Sequence, residues 1–378
     1  MQTVADTSRF RRARRSTSRQ LGNRILRSSL VEALAAPHGV DRYLELVRPL
    51  WNASEVRGEV VRAERQTARS VTIEVRPNED LSGFRAGQFV NLSVEVDGKR
   101  HARPYSISSS EHRPERVELT ISTHPDGLVS HYLRDRAQPG MIVGLSTGDG
   151  EFHLPAARPE RIVLIAGGSG ITPVISMLRT LCDEGHEGEI AFLRYAASPE
   201  LALYDDELAA LAERHPNLVV HRAYTRFGGG DLDGHLSRAQ LDAVAPERAG
   251  AETFVCGPPS LLEAAQTIWA EDRIETRLHV ESFVPPTLEI QTGTAEGRIR
   301  FEGSDLEVAN DGRSLLEQAE EAGLQPESGC RMGICHTCSC RKRAGSVRNL
   351  LTGEVSDTED EQIQICVSAP VGDVAIEI

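Results

Sequence analysis

Four cysteines near the carboxyl end of the chain have a spacing that suits an iron–sulfur cluster. Cys330, Cys335 and Cys338 lie within nine residues, and Cys366 follows after a gap of 27 residues. Four thiolates hold a [2Fe–2S] cluster with this C-x4-C-x2-C…C spacing. Three ligands on one tight loop around Gly333 would enclose one side of the cluster, and the fourth would close it from a neighbouring element. We therefore predict a [2Fe–2S] cluster on these four cysteines.

Other uses of these cysteines fit the spacing less well. A structural zinc site normally takes two C-x2-C pairs, and only Cys335 and Cys338 form one. A Rieske centre needs two histidine ligands, whereas His336 is the only histidine inside the loop. Disulfides are disfavoured because nothing in the chain predicts secretion. Zinc is the main alternative that stays open.

A second candidate site lies in a segment that reads as a β-strand. Arg103, Tyr105 and Ser106 offer a charge for a pyrophosphate, a ring for stacking and a hydroxyl for a ring nitrogen. From residue 54 to about 152, short β-branched runs are separated by Gly, Pro and Asp turns. About five or six such strands without long helices predict a small antiparallel barrel or sandwich.

A glycine-rich turn follows the most apolar run of the chain. Residues 161–166 are typical of a buried parallel strand, and Gly168, Gly170, Thr172 and Pro173 follow it. We expect Thr172 to cap the next helix and Pro173 to begin it. Such a turn brings backbone N–H groups to the pyrophosphate of a dinucleotide. Because Pro173 replaces the third glycine of the usual fingerprint, the turn alone leaves a purely structural role open.

The segments that follow favour the dinucleotide interpretation. Strands predicted at 189–195, 218–224 and 253–256 alternate with helices, which is typical of a doubly wound α/β domain. The last of these strands runs directly into Cys256-Gly257-Pro258. Ligands of such sheets bind at the carboxyl ends of the strands, where both glycine turns fall.

Composition and charge limit the class of protein. The chain has 378 residues and a formal net charge of −14, yet residues 1–30 hold eight arginines and a single acidic residue. We interpret this segment as a solvated tail, with contact to an anionic membrane as the alternative. Phe10 is its single aromatic residue, whereas a nucleic-acid surface interleaves several aromatics with its basic residues. No apolar run approaches the roughly 20 residues of a membrane span, so we expect a cytoplasmic protein, peripheral at the inner face of the membrane if the arginines bind lipid.

Together these motifs resemble a known family. Residues 54–283 resemble the ferredoxin–NADP reductase superfamily, and residues 296–378 resemble a plant-type ferredoxin domain. The resemblance implies a multidomain chain with an antiparallel β-barrel flavin domain, an α/β Rossmann-like NAD(P) domain and a β-grasp [2Fe–2S] domain. The expected segments are a basic tail and short helical extension (1–53), the FAD-binding barrel (54–155), the NAD(P)-binding domain (156–284), a linker (285–295) and the ferredoxin domain (296–378).

The resemblance also implies roles for the flavin residues. Arg103 would bind the pyrophosphate of FAD, Tyr105 would lie against the isoalloxazine ring, and Ser106 would lie near flavin N5. Gly127 and Ser130 resemble the second phosphate motif of the family, at the start of a helix. FMN is used by some reductases of this domain order, but the Arg-x-Tyr-Ser strand is closer to the FAD pattern.

Further motifs resemble those that bind the nicotinamide dinucleotide. Glu281 and Phe283 resemble the acid and the aromatic that close the site near the flavin, so Tyr105, Ser106 and Glu281 are the candidate catalytic residues. Ser198, after the second strand of the α/β domain, favours a 2′-phosphate and hence NADPH, with Arg222 or Arg226 in support. The remaining nucleotide-binding candidates are Gly168, Gly170, Thr172, Pro173, Cys256, Gly257 and Pro258.

The expected activity is electron transfer. NAD(P)H releases two electrons as hydride and a [2Fe–2S] cluster accepts one, so a flavin must mediate between them. Residues 31–51 resemble the leader of reductases that serve membrane diiron fatty-acyl desaturases and hydroxylases, which implies such an acceptor. A soluble oxygenase or acyl-CoA epoxidase is the alternative acceptor. A redox-responsive binding protein and a zinc-containing flavin reductase remain as other classes.

Overall fold

The computed structural model describes residues 56–283 and 296–378, apart from residues 79–80, 82, 97, 126, 330, 332 and 334–337. Several sequence predictions lie outside the described residues: the basic tail, the helical extension, the linker at 285–295, and the ligands Cys330 and Cys335. Across the described part of the chain, no helix has the length and apolar character needed to cross a bilayer.

The first domain is an antiparallel barrel, as expected. Its elements are β1 (Val56–Thr67), β2 (Ser70–Pro77), β3 (Phe89–Val96), β4 (Lys99–Ser106), β5 (Val117–Ser122), α1 (Leu128–Arg136) and β6 (Ile142–Leu145). The strand order is β4-β3-β6-β1-β2-β5, and a bridge from Ile107 to Leu119 joins the end of β4 to β5. Alternate side chains point inward and form one apolar core that includes Val60, Ile73 and Leu92.

The second domain is the predicted α/β unit. Its elements are β7 (Arg161–Gly167), α2 (Ile171–Glu184), β8 (Glu189–Ala196), α3 (Asp205–Arg214), β9 (Leu218–Tyr224), α4 (Arg238–Val244), β10 (Glu252–Cys256), α5 (Pro259–Asp272) and β11 (Leu278–Glu281). All five strands are parallel, in the order β11-β10-β7-β8-β9. Helices cover both faces, and the buried run of β7 lies between two apolar clusters.

Two local features of this domain differ from the sequence predictions. The helix after the glycine turn has Gly170 as its N-cap and begins at Ile171, so the expectation that Thr172 caps it and Pro173 begins it is wrong. The short Gly168–Gly170 turn already has helical hydrogen bonding and leads straight into α2. The strand β11 was not predicted from the sequence. It adds an edge strand beside β10 and carries Glu281 at its end.

The third domain is the predicted α+β ferredoxin domain. Its elements are β12 (Arg298–Phe301), β13 (Leu306–Ala309), α6 (Leu315–Glu321), β14 (Ser339–Asn349), β15 (Val355–Ser356), β16 (Glu361–Gln364) and β17 (Ser368–Ile376). The sheet order is β13-β12-β17-β14-β15, with β16 paired to β14. A capping box begins α6, in which Ser314 and Glu317 each accept a backbone N–H of the other. Leu315 and Leu316 pack this helix onto the sheet.

Candidate active site

A cavity of about 270 Å³ lies where the three domains meet, and we call it the interdomain cavity. Its volume is near the lower end of the range for small-molecule sites, about 300 Å³ and upward. Eight of the residues singled out from the sequence line it: Arg103, Tyr105, Ser106, Gly127, Ser130, Thr172, Glu281 and Phe283. The structure therefore brings the flavin strand, the start of α1, the glycine turn and the end of β11 to one place.

The end of β4 forms one wall of the interdomain cavity. Tyr105 is flanked by Arg103, whose guanidinium donates to the Ala102 carbonyl at 2.7 Å. Burial raises the pKa of the Tyr105 phenol, while the positive charge of Arg103 opposes this effect. Tyr105 is therefore a neutral ring at any physiological pH, as stacking on an aromatic ligand requires.

Two buried polar atoms face the cavity without a hydrogen-bond partner among the described residues. They are Oγ of Ser106, a residue that is 4% exposed, and Oε2 of Glu281. Buried polar groups are rarely left unpaired, so these atoms indicate a ligand that supplies the missing partners. Burial raises the pKa of the Glu281 carboxyl to about 8, and at pH 7 the group is mostly protonated and can donate a hydrogen bond. A flavin ring, with several nitrogen and oxygen acceptors and donors, fits this pair.

The start of α1 offers a place for phosphate. Gly127 is the N-cap and provides no side-chain oxygen for the first-turn N–H groups, while Ser130 donates to the Gly127 carbonyl at 2.9 Å. The free N–H groups and the positive end of the helix dipole attract anions. Arg103 lines the same cavity from the opposite strand. The two sides suit the pyrophosphate of FAD.

The two glycine turns pack directly against each other at the carboxyl ends of β7 and β10. Gly168 has a φ of +54°, a conformation that favours glycine. A Cβ atom on Gly170 would lie 2.3 Å from the carbonyl oxygen of Cys256, so only glycine fits there. Gly257 backs onto Gly167, and the Pro258 ring lies beside the same residue. Burial raises the pKa of the Cys256 thiol well above its usual value, which keeps that thiol neutral.

Other nucleotide candidates lie outside the interdomain cavity. Pro173 is buried in the first turn of α2. Ser198 follows β8, and its hydroxyl hydrogen-bonds to the carboxylate of Glu200, which lowers the pKa of that carboxyl. Arg222 lies 3.5 Å from Asp205, whereas Arg226 is exposed beyond the end of β9. The structure thus places Ser198 and Arg226 on adjacent strand ends, away from the flavin residues.

The described part of the ferredoxin domain brings the third and fourth predicted ligands together. Cys338 and Cys366 are both buried in one apolar cluster, and the Ile365 N–H donates to the Cys338 carbonyl at 3.3 Å. Gly333 belongs to the same arrangement, because its carbonyl accepts from Gln364 at 2.8 Å. Cys330 and Cys335 lie outside the described residues, but Gly329 and Arg331, which flank Cys330, line the interdomain cavity.

Sequence reasoning missed several residues of the cavity. Phe89, Thr120, Ser122 and His124 come from neighbouring strands and loops of the barrel, and Ser169 comes from the glycine turn. No motif in the sequence marks the four barrel residues, because they meet only when the strands pair. Ser169 could have been found, since it lies between the two predicted glycines.

Comparison with known proteins agrees with these three domains. Residues 62–154 match the oxidoreductase FAD-binding domain family, residues 164–267 the oxidoreductase NAD-binding domain family, and residues 299–371 the 2Fe-2S iron-sulfur cluster binding domain family. The chain is 35% identical over 343 residues to the NADPH oxidoreductase of Mycobacterium tuberculosis, which covers 89% of this chain and 88% of that protein. The chain belongs to the ferredoxin reductase-like NAD(P)H oxidoreductases. Its cofactors are FAD, a nicotinamide dinucleotide and a [2Fe–2S] cluster.

Two further proteins resemble this reductase over most of its length. The glycine betaine monooxygenase reductase subunit of Pseudomonas aeruginosa strain UCBPP-PA14 is 31% identical over 318 residues, 78% of this chain and 87% of that protein. The solved structure of phthalate dioxygenase reductase aligns with a TM-score of 0.57 and 23% identity, covering 86% of this chain and 98% of the other. This structural likeness shows a common fold.

Proposed function

We propose that this reductase takes hydride from NAD(P)H onto FAD and passes electrons singly through its [2Fe–2S] domain to an oxygenase-type acceptor protein. The observation that carries the proposal is the interdomain cavity. Residues of the flavin barrel, the nucleotide domain and the loop that contains Cys330 line this single space. Donor, mediator and cluster would therefore be neighbours.

The residues of the cavity have distinct parts in this proposal. Bound FAD supplies a hydride acceptor that can release electrons one at a time. Tyr105 stacks against the ring and Arg103 neutralises the pyrophosphate. Ser106 donates its unpaired hydroxyl to a flavin nitrogen. Protonated Glu281 donates a hydrogen bond at the place where the nicotinamide would approach, and Phe283 shields this place from water.

A second opening supports FAD over FMN. A cavity of about 480 Å³ lies on the other side of Gly127 and is lined by Pro125, Leu128, His131 and Tyr132, among others. Gly127 borders both cavities, so a pyrophosphate at the start of α1 would lead from one into the other. The adenosine half of FAD would occupy this second cavity, where FMN would leave it empty.

The nucleotide would extend from the interdomain cavity across the strand ends toward Ser198 and Arg226. A 2′-phosphate at this end would meet the positive charge of Arg226 and the negative charge of Glu200. The relative from Mycobacterium tuberculosis is named as an NADPH oxidoreductase. Both the arginine and this relative support NADPH as the donor.

The class of acceptor rests on the relatives and on the N-terminal resemblance. The Pseudomonas aeruginosa relative is named as the reductase subunit of a monooxygenase, which supports an oxygenase as the acceptor. Within that class we propose a membrane diiron desaturase or hydroxylase, from the resemblance of residues 31–51. A soluble oxygenase or acyl-CoA epoxidase is the alternative acceptor.

The proposed electron path is tested by anaerobic titration of the purified reductase with NADPH and, separately, with NADH. We expect the flavin absorbance to bleach first and a low-temperature electron paramagnetic resonance signal of a reduced [2Fe–2S] cluster to grow afterwards. NADPH should achieve this at lower concentration than NADH. Flavin bleaching without the cluster signal would contradict the electron path.

The membrane acceptor predicts that the N-terminal segment contacts lipid. Deletion of residues 1–28 should weaken sedimentation with vesicles that contain phosphatidylglycerol, because each basic residue near an anionic surface contributes about 1 kcal/mol. Cytochrome c reduction should stay unchanged and serves as the control. Equal sedimentation of both proteins would contradict the membrane contact.

A further inference from the structure

One side chain of the nucleotide domain contacts the flavin barrel on the face of β5 that points away from the apolar core of the barrel. Tyr204, the residue before α3, is 8% exposed, and its hydroxyl hydrogen-bonds to Oγ1 of Thr120 on β5. The same hydroxyl lies 3.5 Å from Oε1 of Glu118, also on β5. The contact joins the domain proposed to bind NAD(P)H to the domain that binds FAD.

The backbone of Tyr204 is held in an unusual conformation. Its φ of 62° and ψ of 21° lie in the left-handed region, which is disfavoured for a bulky residue and persists where the surroundings fix it. Arg179 lies 5.0 Å from the centre of the Tyr204 ring. This arginine also binds Glu118 of the barrel at 2.7 Å and Glu207 of its own domain at 2.6 Å. Strained backbone of this kind is concentrated at functional sites, so a functional role for Tyr204 is indicated.

Each end of this contact leads to a part of the candidate active site. Along the chain, Tyr204 ends the loop that begins at Ser198, where the adenosine end of the nucleotide would bind. Across the domains, Thr120 lines the interdomain cavity and shares its hydroxyl with Thr72 at 2.6 Å. A displacement of Tyr204 would therefore move the nucleotide loop relative to the flavin cavity.

We propose that Tyr204 is a positioning residue for hydride transfer, which holds the nucleotide-binding domain in register with the flavin domain through its hydrogen bond to Thr120. The inference rests on the proposed function, since it concerns the approach of NAD(P)H to FAD. Hydride transfer needs the two reacting atoms close together and aligned, so a small loss of register slows it steeply. Most of the proposed nucleotide contacts lie within the nucleotide domain, so nucleotide affinity should change little.

The test compares Tyr204→Phe with a matched variant, Tyr195→Phe. Tyr195 is also buried in the nucleotide domain, and its hydroxyl donates to Gln240 at 2.8 Å within that domain. Stopped-flow reduction of the holoprotein by NADPH gives the limiting rate constant, the dissociation constant and the flavin–nicotinamide charge-transfer absorbance. We expect Tyr204→Phe to lower the rate constant about fivefold and to weaken the charge-transfer band. Its dissociation constant should stay within about twofold, and Tyr195→Phe should change neither quantity.

The variant Thr120→Val tests the same hydrogen bond from the flavin side. If the bond carries the effect, Tyr204→Phe should add almost nothing in the Thr120→Val background. Equal rate constants for Tyr204→Phe and the unmodified protein, or additive losses in the double variant, would overturn the inference. Failure of NADPH and NADH to reduce the flavin of the unmodified protein would instead overturn the proposed function.

Discussion

The flavin domain meets its two neighbours in different ways. Toward the nucleotide domain, arginines pair across the boundary: Arg158 binds Glu111 at 2.5 Å, and Arg179 binds Glu118 at 2.7 Å. Toward the ferredoxin domain, Arg331 lines the interdomain cavity, yet its guanidinium binds Glu320 of its own domain at 3.0 Å. Ion pairs therefore hold the flavin and nucleotide domains together. At the boundary with the ferredoxin domain, Arg331 instead pairs within its own domain.

The difference corresponds to the two kinds of transfer proposed for this reductase. Hydride transfer requires bond formation between aligned atoms, so the domains that hold donor and acceptor benefit from a fixed register. Transfer of a single electron forms no bond, so a loop that lines the cavity is sufficient. The comparison predicts that changes in the ferredoxin domain affect only the later step, while changes around the cavity affect every acceptor.

The largest expected effect comes from a change in the ferredoxin domain, which should stop electron transfer through the cluster and leave the hydride step intact. Cys338→Ser removes a predicted thiolate ligand, so the iron absorbance and cytochrome c reduction should be lost, while NADPH oxidation with the two-electron dye dichlorophenolindophenol should remain. Cys340→Ser is the control, because Cys340 lies two residues further along the same segment and is not a predicted ligand. Loss of both activities in Cys338→Ser would contradict the separation of the two steps.

The second prediction concerns the pH dependence of the hydride step. The pKa of Glu281 is raised by burial to about 8, so the carboxyl is neutral below that pH and becomes an anion above it. An anion there repels the negative charge that arrives with the hydride. Flavin reduction should therefore slow as pH rises through 8, by about tenfold at pH 9, where roughly a tenth of the carboxyl remains protonated.

Glu281→Gln stays neutral and should abolish this pH dependence in stopped-flow measurements between pH 6.5 and 9. Glu252→Gln is a control at the opposite end of the neighbouring strand β10, where the carboxylate pairs with Arg277 at 2.9 Å. A slowing through pH 8 that persists in Glu281→Gln would show that another group titrates.

The third prediction tests the unpaired hydroxyl of the cavity. Ser106→Ala removes the proposed hydrogen bond to the flavin, so the limiting rate of flavin reduction should fall about fivefold with every acceptor, while the cluster absorbance stays intact. Ser70→Ala also removes a buried hydroxyl from the barrel but lies outside the cavity, and it should have no effect on this rate. An unchanged rate in Ser106→Ala would remove Ser106 from the hydride site.

The smallest expected effect is on the choice of nucleotide. Glu200→Gln removes the negative charge beside Ser198, and the KM for NADPH should fall about threefold while that for NADH stays constant. The Glu200 carboxylate is exposed to solvent, so the change should shrink at high salt. Equal changes in both KM values would place the 2′-phosphate elsewhere.

Local sequence patterns determined much of this protein. The run of β-branched residues before Gly168 is apolar on both faces, which a parallel strand between two layers of helices requires, and the structure contains that strand. The Arg103–Ser106 pattern likewise predicted a strand, which the structure contains as β4, and the cysteine spacing predicted the iron–sulfur domain. Strand alternation and ligand spacing are properties of neighbouring residues. The predicted start of α2 at Pro173 is wrong by two residues. The helix begins at Ile171, because the tight turn at Gly168–Gly170 continues directly into it.

Only the tertiary structure decided which of these patterns meet. Thr120 and Tyr204 are 84 residues apart in the chain, and neither belongs to a motif, yet they hydrogen-bond between two domains. The raised pKa of Glu281 likewise depends on β11, a four-residue edge strand without a strong sequence signal, and on the burial that its position beside β10 produces. Burial and contact between distant segments arise from packing, and no short stretch of sequence contains that information.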